Sequence, residues 1–206
     1  MNRLILIFFL LTPLSMQSHN GLCTIRKAGE NVYVSSQIDD HHEINYWFKK
    51  CMANDLFTFY RVSVTSGTTG TTVVNEAYSD NIGPFEIRGG GWCGGNHLFT
   101  DEKTQTAETF SIKLYADGQS ISSDTLLKTQ TIKLEVKNRI FNPLSAEQTG
   151  DKTYFTDTLC IENVNYTIRG NSIQVDLSHD YINRIPVIIT KYYGMQSMFK
   201  DENQLL

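Results

Sequence analysis

The chain has 206 residues, 18 Lys and Arg against 22 Asp and Glu, a formal charge of −4 and 40% hydrophobic residues. That is room for one domain or two small ones, with enough apolar content for a core. The acidic balance and the lack of a basic stripe exclude a nucleic-acid binder that works through phosphates. Twenty-one threonines against six alanines favour strands over helices.

Met1-Asn2-Arg3, the apolar run Leu4 to Leu11 and a polar exit through Pro13, Ser15 and Ser18 have the layout of a secretory signal peptide, residues 1–18. The apolar run is too short to span a bilayer, and no later segment approaches 18 apolar residues. The expectation is one exported domain over 19–206, without a membrane span, secreted or held in the cell envelope or periplasm. Export makes Cys23, Cys51, Cys93 and Cys160 candidates for a disulfide, with three pairings open to four cysteines. None forms a Cys-x-x-Cys pair, which excludes a zinc ribbon by spacing. No cofactor or metal is expected.

Asn31 to Ile38 alternates with period two and predicts a strand. Asp39-Asp40-His41-His42-Glu43 reads as a solvated loop, because neighbours on extended backbone point to opposite faces and cannot all reach one ion. Ile44 to Met52 has room for a helical turn. Asp55 to Val64 predicts a long strand buried on both sides, and Ser66 to Gly70 a turn into a return strand from Thr71 to Ala77. Strands follow at 107–116, 129–136, 154–161, 164–169, 173–177 and 185–193, with turns at Asp117-Gly118 and Gly170-Asn171. His179-Asp180 reads as a turn. The set predicts an all-β, antiparallel sandwich, with a barrel as the alternative. The unclosed C-terminal stretch Tyr192 to Leu206 leaves room for an incomplete or partner-completed sandwich.

Between Ser79 and Thr100 the composition changes, with Gly83-Pro84, Gly89-Gly90-Gly91 and Gly94-Gly95 around Trp92. Such glycines are tolerated where the backbone needs positive φ or close approach. A Trp beside Asn96, His97, Arg88 and Asp80 supplies the side-chain set that a sugar requires: a flat ring for the C–H face and polar groups for hydroxyls. The opposing reading makes Trp92 a core residue between tight turns. Asp80-Asn81-Ile82-Gly83-Pro84-Phe85, Gly91-Trp92-x-Gly94-Gly95-Asn96-His97, Tyr115-Ala116-Asp117-Gly118 and Tyr192-Tyr193-Gly194-Met195-Gln196 resemble segments of uncharacterised exported or phage-associated β-sandwich proteins. That resemblance brings no catalytic residues with it. Through the group's association with polysaccharide-degrading proteins, it implies a carbohydrate setting.

There is no Gly-x-Ser-x-Gly elbow, and β-hairpins rather than a βαβ unit surround the glycines. Three readings stand. The first is a non-catalytic glycan- or surface-polymer-binding sandwich through Asp80, Arg88, Trp92, Asn96 and His97. The second is a polysaccharide-lyase-like enzyme in which His97 or Tyr115 takes a proton beside a uronate carboxylate held by Asn96 and Arg88. The third is a structural envelope or phage-like module.

Overall fold

The computed structural model describes residues 21–76, 82–195, 200–201 and 204–205; the proposed leader and Asp80 lie outside them. Strands β1 (Cys23–Ala28), β2 (Asn31–Gln37), β3 (His42–Cys51), β4 (Leu56–Ser66) and β5 (Gly70–Glu76) open the chain, followed by the short β6 (Phe85–Ile87) and β7 (Gly91–Cys93). Next come β8 (Ala107–Ala116), β9 (Gln119–Ser120), β10 (Thr125–Thr129) and β11 (Thr131–Phe141), then a 3₁₀ turn at Pro143–Ser145. The chain continues through β12 (Ala146–Thr149), β13 (Lys152–Phe155), β14 (Thr158–Arg169), β15 (Ser172–Tyr181), β16 (Ile189–Tyr192), β17 (Lys200–Asp201) and β18 (Gln204–Leu205).

A six-stranded sheet, β10-β1-β2-β3-β4-β5, faces a five-stranded sheet, β15-β14-β11-β8-β9. All pairings are antiparallel and the sheets do not close into a barrel, so the fold is all-β and sandwich-like. Alternation sends Ile25, Val34 and Phe48 of the first sheet inward to meet Leu134, Val164 and Tyr166 of the second. Phe48 meets Tyr166 edge-on at 5.2 Å, and the buried Tyr166 phenol hydrogen-bonds the Thr58 hydroxyl at 2.9 Å. A buried phenol needs that partner to offset lost hydration. One residue, Gln130, separates β10 in the first sheet from β11 in the second. The Asp117 carboxylate fixes this corner by accepting the Gln130 and Thr131 amides at 3.1 and 2.8 Å.

Four expectations change. Ile44 to Met52 forms no helical turn, because Asn45, Tyr46, Trp47 and Phe48 extend β3 and pair with both β2 and β4. His179-Asp180 lies inside β15, and strand structure in 185–193 is confined to β16. The disulfide does not form: all four cysteines are buried free thiols. Cys23 pairs with Ser36 at one end of the first sheet, while Cys51 lies seven residues beyond Ser36's partner Ile44 on β3, about 24 Å away. Cys93 and Cys160 sit in the core as small apolar groups.

A smaller sheet, β16-β6-β7, lies against the β14–β15 end of the sandwich through Phe85, whose ring meets His179 at 5.1 Å. The first sheet also presents an outer face. There Leu126, Arg26, Tyr33, Trp47 and Arg61 stand directly across five adjacent strands.

Candidate functional site

The glycine-rich hairpin is built from outside. Asn54, in the β3–β4 turn and 1% exposed, donates from Nδ2 to the carbonyls of Gly95 and His97, both at 2.9 Å. Its Oδ1 accepts the Thr106 amide at 2.8 Å. Thr106 completes the clamp, accepting the Gly94 amide at 2.9 Å and donating to the His97 carbonyl at 2.6 Å. Gly94 has φ +75°, a conformation that side chains resist, which is why glycine occupies that point. Asn96, expected on a ligand, accepts the Ala53 amide at 2.8 Å through Oδ1 and so serves the same clamp.

This clamp presents Trp92 on β7, half-buried, with the His97 ring stacked at 4.9 Å and the Tyr193 ring at 5.1 Å. Lys191 reaches over the indole at 5.6 Å and pairs with Glu86 at 3.1 Å. Hydrogen bonds from Lys191 and Thr190 hold the Glu86 carboxyl below its ordinary range. Trp92 is therefore neither the open ring of the binding reading nor the buried one of the structural reading. Tyr193 is 46% exposed, while Tyr181 and Tyr192, 51% and 41% exposed, stand against Phe85 on the other face of the small sheet. Tyr192 also stacks on the buried Phe85 at 4.7 Å. The approach of the segment carrying these tyrosines depends on Gly83, where a Cβ would stand 1.7 Å from the Gly194 carbonyl oxygen.

Beneath the tyrosines lies an unusual row. Thr109, Asn138, Glu162 and His179 stand opposite one another on adjacent strands of the second sheet. Glu162 is wholly buried, accepting Asn138 Nδ2 at 2.9 Å and hydrogen-bonding His179 Nε2 at 3.1 Å. His179, its side chain 11% exposed, is walled by Phe85, Tyr181 and Tyr192. A buried carboxylate requires such a partner, since an unpaired charge in the core is strongly destabilising. Burial, with the Glu162 charge behind it, pushes the Tyr192 phenol up to about 12.

The other expected residues scatter. Arg88 is exposed in the β6–β7 turn, its amide donating to the Ile188 carbonyl at 2.9 Å. Tyr115 lies nine residues along β8 from Thr106, about 30 Å from the clamp that holds His97. His97 and Tyr115, the alternative bases of the lyase reading, thus lie apart, and Tyr115 is remote from the hairpin that carries Asn96 and Arg88. In the Asp39–Glu43 loop the Asp39 carboxylate accepts the His41 and His42 amides at 2.8 and 2.9 Å, capping a hairpin. Among the described residues no three His, Cys, Asp or Glu side chains form a metal-binding group. Glu162 and His179 were missed because their meaning comes from strand register. The only local signal was a charged residue at an inward position of an alternating strand.

Protein-family models, curated proteins and solved structures give no match to this chain.

Proposed function

We propose that this is an exported β-sandwich protein that contacts a glycan or surface polymer without catalysing its breakdown. The observation that carries the reading is the stacking of the half-exposed Tyr193 and of His97 on Trp92 on one face of the small sheet, with Lys191 over the indole. Aromatic rings cover the C–H faces of a sugar, while phenol hydroxyls and the Lys191–Glu86 pair meet its hydroxyls. Trp92 and His97 stay in the proposed contact, and Tyr193 joins them as its exposed ring. Export rests on the charged, then apolar, then polar layout of residues 1–18.

The test is a glycan array probed with wild type, Tyr193→Ala and Trp92→Ala. The expected result is binding that falls about tenfold in Tyr193→Ala, with the melting temperature little changed. Array binding indifferent to both changes overturns the assignment of the surface. Wild-type release of unsaturated product from a uronate polymer, lost in His97→Ala, overturns the non-catalytic reading.

A further inference from the structure

We propose that the outer face of the six-stranded sheet is a second, separate contact groove, which takes a glycan strand bearing carboxylate or sulfate groups. The groove is about 380 Å³. One wall is the cross-strand row Arg26, Tyr33, Trp47 and Arg61; the other is the next outward row, with Thr24, Ser35 and Asn45. Rings facing a line of hydroxyls and an amide form an amphipathic channel, which suits a polyhydroxylated strand better than a purely apolar partner.

The rings are placed by pairing. Tyr33 stacks on Trp47 at 5.3 Å, and Trp47 Nε1 donates to Asn31 Oδ1 at 3.0 Å. Trp47 pairs with Arg61 but Phe48 pairs with Phe59, so Tyr60 is the extra residue of a β-bulge. The bulge brings Tyr60 and Arg61 to the same face, with Tyr60 edge-on to Trp47 at 4.8 Å.

Charge selects the ligand. Arg26 is exposed and lies 5.5 Å over Tyr33; Lys49, just behind the row, lies 3.8 Å over Tyr60 and 4.8 Å over Trp47. Neither pairs with a carboxylate among the described residues. Their chain neighbours do: Lys27 with Asp124 at 3.8 Å and Lys50 with Glu30 at 3.9 Å. Among the described residues no carboxylate lines the groove, although the chain is acidic overall. By register Glu76 of β5 stands opposite Arg61, and Glu43 lies beyond the hydroxyl row, which limits the favoured anion positions to the Arg26 and Lys49 part of the aromatic side. An exposed guanidinium over a ring keeps its donors available for a planar carboxylate or a sulfate.

The experiment is affinity electrophoresis of the full chain in gels containing polygalacturonate, dextran sulfate or neutral dextran, with single-stranded oligo-dT as a further polyanion. Retardation by polygalacturonate or dextran sulfate, weak in dextran, is expected, and whichever is stronger identifies the acidic group. Arg26→Gln, an exposed change that spares the core, should weaken it about tenfold; Trp47→Ala should abolish it; Tyr193→Ala should leave it intact. Equal retardation by dextran, indifference to Arg26→Gln, or preference for oligo-dT overturns the proposal. Dextran binding lost in Tyr193→Ala but kept in Arg26→Gln would overturn this groove while sustaining the other surface.

Discussion

The chain's two tryptophans occupy opposite kinds of structure. Trp92 sits in a hairpin whose shape is imposed by side chains from elsewhere, chiefly Asn54 and Thr106, and its ring touches His97 and Tyr193 from two further segments. Trp47 sits mid-strand in a continuous sheet, and its neighbours Tyr33 and Arg61 are set by the ladder alone. The first is a site assembled from loops on a buried polar clamp; the second is a surface that any well-formed sheet would present. A ring in the first can be lost by a change far from it, whereas a ring in the second is lost only with its own strand.

The sharpest break between the two should come from Asn54→Ala. Stranding several buried amides and carbonyls should lower unfolding free energy by about 3 kcal/mol, against about 0.5–1 kcal/mol for Asn45→Ala on the open sheet face. Chemical denaturation measures both, and equal losses would show that the hairpin has no special dependence on its clamp. Gly83→Ala comes next, at about 2 kcal/mol, because the new methyl overlaps the Gly194 carbonyl. With Trp47→Phe as background, the remaining Trp92 emission should shift as Tyr193 moves off the ring; unchanged emission would remove Tyr193 from the surface.

A smaller effect is expected at Asp157, which anchors the segment leading to β16. Burial alone would raise its carboxyl, but amide donors from Ile185 and Arg184 and the Asn142 and Arg184 side chains outweigh it and hold it below the ordinary range. Its contribution is therefore present above the unfolded carboxylate value near 4 and is lost as pH falls through the lowered folded value. Asp157→Asn should cost about 1 kcal/mol at neutral pH and flatten the acid limb of the stability curve. If wild type and variant lose stability in parallel on acidification, Asp157 does not anchor that segment through its charge. The mildest test leaves stability untouched. Burial pushes the Cys51 and Cys93 thiols up to about 12 and raises Cys23 and Cys160 as well. Alkylation should find no reactive thiol in the native protein and four in denaturant without reductant; two or fewer in denaturant would restore a disulfide.

What could be read from the sequence follows from range. Period-two alternation gave β2 and β8 nearly to their ends and the first half of β11, and Asp117-Gly118 and Gly170-Asn171 are both turns with positive φ at the glycine. The glycine-rich stretch was also recognisable, although its cause was a clamp from Asn54, forty residues away. Aromatic-rich β3 was harder to read because its bulge partner breaks the alternation of β4 at Tyr60. The disulfide expectation failed because four cysteines in one chain say nothing about which strands bring them together. Glu162 and His179, seventeen residues apart, become a pair only through the β14–β15 register.

That register gives the buried row a consequence for how the second sheet assembles. Sliding β15 by two residues against β14 keeps every side chain on its proper face, so hydrophobic alternation cannot reject the error. The slide would place Glu162 opposite Leu177 or Tyr181 instead of His179, and an equal slide of β11 would place it opposite Val136 or Ile140 instead of Asn138. Each misalignment leaves a carboxylate unsatisfied in an apolar layer, at several kcal/mol. The four polar residues thus act as an alignment key: they add little to the depth of the correct well, but they raise the floor of every neighbouring one.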